Sequence, residues 1–199
     1  MAKLVNWYEF NRRMKEKNIL LFSILDVCRV FGVGKVAAGF LLHRYVKKGY
    51  LLRVKRGLYV FPDLLPPELF LANKIYEPSY VSGEFALSYH QVIPETVYEI
   101  SSVTPKTTRR FEKLGRVYSY RKIKKSVFTG YTIEKQKGFS FLIAEPEKSF
   151  VDANYFRLRQ GLEPISRYDK ERIQPLKALR YAELFGNRKL VNFIKRALR

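Results

Sequence analysis

The sequence predicts an α+β fold in two parts: three helices and a β-hairpin over residues 1–62, then a mixed α+β domain with C-terminal helices over residues 63–199. Three observations lead to this prediction. Apolar residues recur at helical spacing up to Gly49, and an alternating stretch centred on Gly57 follows them. Three prolines within residues 62–67 then interrupt any regular element, which places a domain boundary there.

The first two helices are indicated by apolar spacing and by one capping signal. Trp7, Phe10 and Met14 share one face of the first helix. Ser23 is a candidate N-cap of the second helix, with Asp26 in the position of a weak capping box. The apolar face of the second helix comprises Ile24, Val27, Cys28 and Phe31. Cys28 is therefore expected to be a buried small hydrophobe and not a reactive thiol.

A third helix is predicted over about residues 35–48, after a glycine-containing turn at residues 31–34 and before Gly49. Its expected core residues are Leu42, Tyr45 and Val46, with Phe40 or Leu41. Its expected outward residues are Lys35, Ala38, Gly39, His43 and Lys47. Small residues near the start of this helix would let the backbone approach base edges, and Lys35 could reach a phosphate or a guanine.

A β-hairpin follows, with Leu52 and Val54 alternating with Arg53 and Lys55 before a turn at Gly57. Leu58 and Val60 alternate in the same way with Tyr59 and Phe61. Three helices and a basic hairpin in this order are typical of a winged helix-turn-helix, whose third helix reads the major groove of double-stranded DNA while the hairpin follows the phosphate backbone. The predicted DNA-binding residues are Lys35, His43, Lys47, Arg53, Lys55 and Arg56. A module that only docks to protein is the alternative, and a homodimer on paired half-sites is possible.

The charge distribution supports a polyanionic partner. The chain has 38 Lys and Arg against 18 Asp and Glu, a net charge of +20. Positive charge is concentrated in residues 1–62, 105–125 and 157–199, whereas residues 63–104 are net acidic and better suited to face a protein. Nucleic acid is the first candidate partner and an anionic membrane the second. No apolar run approaches the ~20 residues that span a bilayer, and the N-terminal residues lack the pattern of a secretory signal, so we expect a cytoplasmic protein without a membrane partner.

Residues 63–199 show no pattern that indicates catalysis. A helix at about 66–77, five short strands and four further helices are predicted, the last two separated at residues 186–187. Catalytic and metal-binding motifs are absent from the sequence, so we expect no enzyme activity, no metal and no cofactor. The alternative is a nuclease that uses Glu145, Glu147 and Asp152, although the two glutamates are better explained by the positive end of a helix dipole. His90, beside Tyr89 and Val92, is expected to be structural.

Three stretches carry a resemblance to a known family. They are Gly57 to Pro62, Tyr80 to Glu95 (YVSGEFALSYHQVIPE) and Ala144 to Asp152 (AEPEKSFVD). In this order they resemble the AbiEi-type antitoxins of type IV toxin–antitoxin systems, and the likeness covers most of the chain. The resemblance implies a winged helix that binds and represses the promoter of its own operon, and a C-terminal antitoxin domain that counteracts a nucleotidyltransferase-like toxin, with or without a stable complex. The alternative is a stand-alone transcriptional regulator whose C-terminal domain senses a signal or dimerises.

Overall fold

The computed structural model describes residues 5–199, which divide into two compact units. The N-terminal unit ends at Pro66, and the C-terminal unit comprises Pro67–Arg199. The division lies within the proline-rich segment, four residues after the boundary that the sequence predicted at residues 62 and 63. The assignment of residues 1–62 and 63–199 as two separate domains stays a prediction.

The N-terminal unit contains three helices and a three-stranded antiparallel sheet of order β1-β3-β2. Its elements are α1 (Trp7–Glu16), β1 (Leu21–Ser23), α2 (Ile24–Phe31), α3 (Lys35–Lys47), β2 (Leu52–Lys55) and β3 (Leu58–Val60). The predicted helices and hairpin are confirmed, and together they form a winged helix-turn-helix. Strand β1, which adds a third strand to the hairpin, was not predicted.

Local signals in the sequence set the ends of α2 and the turn of the hairpin. The Ser23 hydroxyl accepts a hydrogen bond from the Asp26 N–H at 3.3 Å, and the Asp26 carboxylate accepts one from the Ser23 N–H at 2.8 Å. The predicted capping box is therefore present. Gly32 ends α2 at a φ of 64°, and Gly57 turns the hairpin at a φ of 78°. Both are left-handed conformations that glycine adopts without a steric penalty.

The core of the N-terminal unit is aromatic. Phe10, Phe22 and Phe61 are fully buried, and their ring centroids lie 5.3–6.3 Å apart. The buried hydroxyl of Tyr45 on α3 donates a hydrogen bond to the Val5 carbonyl at 3.0 Å. Such ring pairs stabilise a fold by about 0.5–1.5 kcal/mol each beyond the apolar area they bury. One face of α3 therefore packs on this core, and the opposite face is exposed to solvent.

Three side-chain orientations in this unit differ from the sequence prediction. Ala38 was expected to lie outside the core, but it is fully buried, because it shares a face of α3 with Leu42 and Leu41 where α3 packs on α2. Leu41, and not Phe40, joins the core. Tyr59 and Phe61 were expected to alternate outward, but both are buried, since β3 is the central strand and residues 59–61 are buried on both faces.

The C-terminal unit is built on a mixed six-stranded sheet of order β6-β7-β5-β4-β9-β8. Its strands are β4 (Tyr80–Val81), β5 (Ile100–Thr104), β6 (Arg109–Lys113), β7 (Arg116–Lys122), β8 (Tyr131–Gln136) and β9 (Phe139–Ala144). Its helices are α4 (Glu68–Ile75), α5 (Glu84–Tyr89), α6 (Pro146–Arg159), α7 (Pro175–Leu184) and α8 (Arg188–Ala197). The α+β prediction is confirmed, but edge strand β6 was not foreseen. None of the helices within residues 5–199 is long and apolar enough to cross a membrane.

Strand register shows that this sheet lies between α4 and α6. Tyr80 is paired with Val103, and Tyr120 with the neighbouring Ser102, so the two tyrosines point to opposite faces. The Tyr120 hydroxyl donates to the Ala72 carbonyl of α4 at 2.6 Å, whereas the Tyr80 hydroxyl donates to a carboxylate of α6. Helices α7 and α8 pack on α6 and complete the core on that face.

Candidate DNA-binding interface

The outward face of α3 carries three of the six predicted DNA-binding residues. Lys35, His43 and Lys47 are all exposed. Val36 and Phe40 are exposed on the same helix, at 74% and 72% of their full areas. Positions 36, 40, 43 and 47 follow one another at spacings of three and four, so these side chains line one face. Sequence reasoning missed the two apolar residues, because an apolar side chain on a helix is ordinarily assigned to the core.

The other three predicted residues lie on the hairpin. Arg53 on β2 is exposed and lies opposite Tyr59, and the partly buried Lys55 lies opposite Leu58. Arg56 is exposed and directly precedes the turn glycine. The register shifts between Arg53 and Lys55, which marks a bulge or irregularity in β2 just before the tip. The hairpin thus presents guanidinium groups both along its outer strand and at its end.

The acidic residues of the N-terminal unit are engaged away from α3 and the hairpin. The pairs join Glu9 to Arg13 at 3.0 Å, Glu16 to Arg12 at 2.9 Å, Asp26 to Arg29 at 3.7 Å and Asp63 to Lys15 at 2.7 Å. The hydrogen bond from Lys15 lowers the pKa of Asp63 below its ordinary value. Among the ion pairs of residues 5–199, none involves Lys35, Lys47, Arg53 or Arg56. These four residues therefore place positive charge on α3 and the hairpin that no acidic side chain of the unit neutralises.

The start of α3 adds a further feature suited to phosphate. Gly34 is the N-cap residue, and it supplies no side chain to accept hydrogen bonds from the first turn of the helix. The first N–H groups of a helix have no partner within it, and they lie at the positive end of the helix dipole. Lys35 follows immediately. A backbone phosphate beside this turn would meet both N–H donors and an ammonium group.

The acidic side chains that suggested a nuclease are engaged in internal contacts of the C-terminal unit. Asp152 is fully buried and forms an ion pair with Lys148, which is fully buried too. Its carboxylate also accepts hydrogen bonds from Ser82 at 2.7 Å and Tyr80 at 3.2 Å. Burial, and then the Asp152 carboxylate, raise the pKa of Tyr80 far above its ordinary range, so the Tyr80 hydroxyl remains a donor. These contacts form a buried polar network of the kind that stabilises a core.

The two glutamates at the start of α6 contact one lysine of α7. Lys177 Nζ lies 3.1 Å from a carboxylate oxygen of Glu145 and 3.1 Å from one of Glu147. The Tyr181 hydroxyl donates a hydrogen bond to Glu145. These contacts join α6 to α7, an arrangement more specific than the predicted dipole effect.

Within residues 5–199, no group of three or more His, Cys, Asp and Glu side chains is arranged to hold a metal ion.

His90 has the structural role expected from the sequence. Its Nε2 lies 2.8 Å from the Ala144 carbonyl oxygen, and its ring meets that of Tyr89 edge-on with centroids 5.3 Å apart. The contact joins the end of α5 to the end of β9.

Comparison with known proteins supports the assignment of the N-terminal unit. Residues 21–62 match the family model described as "Transcriptional regulator, AbiEi antitoxin". The match runs from β1 through α2, α3 and the hairpin, and so contains all six predicted DNA-binding residues. No curated protein sequence matches the chain. The matched family is one of regulators and antitoxins and not a family of enzymes. By this match, residues 21–62 are similar to the transcriptional regulators of the AbiEi antitoxin family.

Proposed function

We propose that this protein is a DNA-binding antitoxin that represses its own operon and counteracts a cognate nucleotidyltransferase-like toxin. One observation carries the DNA-binding part. Within the described residues, no ion pair involves Lys35 and Lys47 of α3 or Arg53 and Arg56 of the hairpin, whereas the acidic residues of the same unit pair with basic residues of α1 and α2. A basic side chain without an acidic partner can bind a phosphate without first breaking an ion pair within the protein. Its binding also releases counterions from the DNA.

The six residues divide into two roles in this proposal. Lys35, His43 and Lys47 face the major groove from α3, where they contact base edges and the adjoining backbone. Arg53, Lys55 and Arg56 contact phosphates from the hairpin. A homodimer that reads two half-sites fits the same arrangement.

Repression is tested with a reporter gene under the chain's own upstream DNA. Replacing Arg53 and Arg56 with alanine should relieve repression, because two phosphate contacts are lost while buried packing is unchanged. Arg12→Ala with Arg13→Ala is the matched control, since those arginines pair with Glu16 and Glu9 on α1. Unchanged repression in the hairpin variant, or equal relief in both, would contradict the assigned roles.

The antitoxin part is tested by co-expression with the neighbouring nucleotidyltransferase gene in cells whose growth the toxin arrests. The wild-type chain should restore growth. The Arg53→Ala and Arg56→Ala variant should restore growth equally when both are expressed from the same foreign promoter, because the hairpin is not part of the antitoxin domain in this proposal. Failure of the wild-type chain to restore growth would refute the antitoxin role and leave the repressor role standing.

A second candidate, a stand-alone regulator with a sensing C-terminal domain, is favoured by one feature of the C-terminal unit. A cavity of about 360 Å³ lies between the sheet, α5 and α6. Its lining includes Ser82, Ser101, Arg121, Arg157 and Gln160. The cavity is within the size range of small-molecule sites. This candidate predicts that no toxin gene adjoins the operon and that a small molecule alters DNA affinity.

A further inference from the structure

Helix α3 carries two large apolar side chains that the N-terminal unit does not bury. Val36 is 74% exposed and Phe40 is 72% exposed, although neighbouring Leu41 and Leu42 are buried. Burial of large apolar side chains stabilises a fold, so leaving both in water forgoes a substantial gain. Their spacing of four residues puts them side by side, which makes one apolar patch and not two scattered residues.

Gly39 lies beside this patch and has no internal reason to be glycine. It is in the interior of α3, where glycine is less stable than alanine. A Cβ added at Gly39 would meet no atom within 4 Å, so packing within the protein does not require its absence. A missing side chain at a position with open space in front of it is explained by the close approach of an external surface.

The charge around the patch identifies the kind of surface that approaches. Helix α3 contains three cations and no acid. The cations are Lys35, Arg44 and Lys47, and Lys48 follows at the C-cap. A second copy of this chain would bring the same cations against one another, which is unfavourable without counter-charges. A duplex DNA groove is polyanionic and also contains one exposed apolar group, the 5-methyl of thymine. Such a groove complements both the positive charge of α3 and its apolar patch.

We propose that α3 recognises thymine, with Val36 and Phe40 packing against 5-methyl groups in the major groove and Gly39 allowing the helix to come close to the base edges. The inference rests on the proposed DNA binding and adds to it the base that is read and the side chains that read it. The lysines and the hairpin arginines supply affinity for any duplex, whereas the apolar pair supplies selectivity.

The test compares the upstream duplex made with thymine and the same duplex made with deoxyuridine, which lacks only the methyl. The wild-type protein should bind the deoxyuridine duplex at least about fourfold more weakly, the effect of one buried methyl at ~0.8 kcal/mol. The Val36→Ala and Phe40→Ala variant should bind the thymine duplex more weakly and should bind both duplexes alike. Both changes are at exposed helical positions where alanine is favourable, so the fold should persist.

Two controls and one further variant make the result specific. Arg56→Ala should weaken binding to both duplexes and leave their affinity ratio unchanged, because it removes a phosphate contact. Tyr8→Ala, at a position 76% exposed on α1, should change neither affinity nor ratio. Gly39→Ala should raise the thermal unfolding midpoint and yet weaken binding to the thymine duplex.

Three outcomes would overturn the inference. If wild-type protein binds selectively to its upstream duplex but equally well with thymine and deoxyuridine, thymine recognition fails and the proposed function stands. If the Val36→Ala and Phe40→Ala variant keeps the thymine preference and loses self-association in sedimentation, a second copy of the chain occupies the patch instead. If wild-type protein shows no selective binding to any duplex, the proposed function fails and the inference fails with it.

Discussion

Replacing Asp152 tests whether this buried acidic residue of α6 is structural. Its carboxylate is fully buried, pairs with the fully buried Lys148, and accepts hydrogen bonds from Ser82 and Tyr80. In the Asp152→Ala variant, an ammonium group would stay in the core without a counter-charge, and two hydroxyl donors would lose their acceptor.

The expected loss of stability follows from these contacts. Removing one partner of a buried ion pair lowers the free energy of unfolding by about 3–5 kcal/mol. This is a large fraction of a total free energy of unfolding of roughly 5–15 kcal/mol. Replacing Lys148 with Met and Asp152 with Asn removes both charges and keeps an oxygen that accepts from Ser82 and Tyr80. That double variant should recover most of the loss, since neither partner is left charged and buried.

Urea unfolding followed by circular dichroism measures both variants against the wild type. We expect a much lower midpoint for Asp152→Ala and a midpoint close to wild type for the double variant. A wild-type midpoint for Asp152→Ala would refute the argument, because it would mean that the charge has access to water. A stable Asp152→Ala variant that had lost a metal-dependent cleavage activity would favour the nuclease alternative instead.

Three further predictions concern other parts of the fold. Ser23→Ala should lower the stability of the N-terminal unit by about 1 kcal/mol in thermal unfolding, because the capping box is lost. Gly130→Ala should lower the unfolding midpoint, since Gly130 has a φ of 75° and a Cβ there would lie 2.7 Å from the ring of Tyr181. Burial raises the pKa of Glu145, but hydrogen bonds from Tyr181 and Lys177 bring it below its ordinary value overall. The ionised carboxylate therefore stabilises the fold above its unfolded-state pKa, and this contribution is lost as pH falls through the lower folded-state pKa. Urea unfolding at a series of pH values should therefore show a lower free energy of unfolding for Lys177→Met than for the wild type. The difference should stay below about 1 kcal/mol for this partly exposed pair, and it should disappear in acid.

Much of the N-terminal fold could be predicted, because its signals are local. The Ser23 capping box and the turn glycine of the hairpin each specify a boundary from a few adjacent residues. Strand β1 has only three residues and forms through pairing with β3, 35 or more positions later, so its own sequence carries no usable pattern. Edge strand β6 is mostly charged, as edge strands often are, and lacks the apolar alternation that marks a half-buried strand.

The candidate interface was predicted in part. Basic residues on α3 and the hairpin stand out in the sequence and prove to be at the surface. The exposure of Phe40 and the burial of Ala38 could not be predicted, because both positions fit a helical period and tertiary packing on α2 decides between them. The engagement of Asp152 by Lys148 is visible as a spacing of four residues, but its burial depends on the β-sheet against which α6 packs.

The central claim is that α3 and the hairpin read an operator. A gel-shift titration of the protein against its own upstream DNA and a scrambled duplex, at two salt concentrations, tests it most directly. We expect tight binding to the upstream DNA alone, with the salt slope falling by about one for each phosphate contact removed, as in a Lys55→Ala and Arg56→Ala variant. Equal, weak and strongly salt-dependent binding to both duplexes would mean that the net charge of +20 acts only as a non-specific polyanion surface, and would contradict the account.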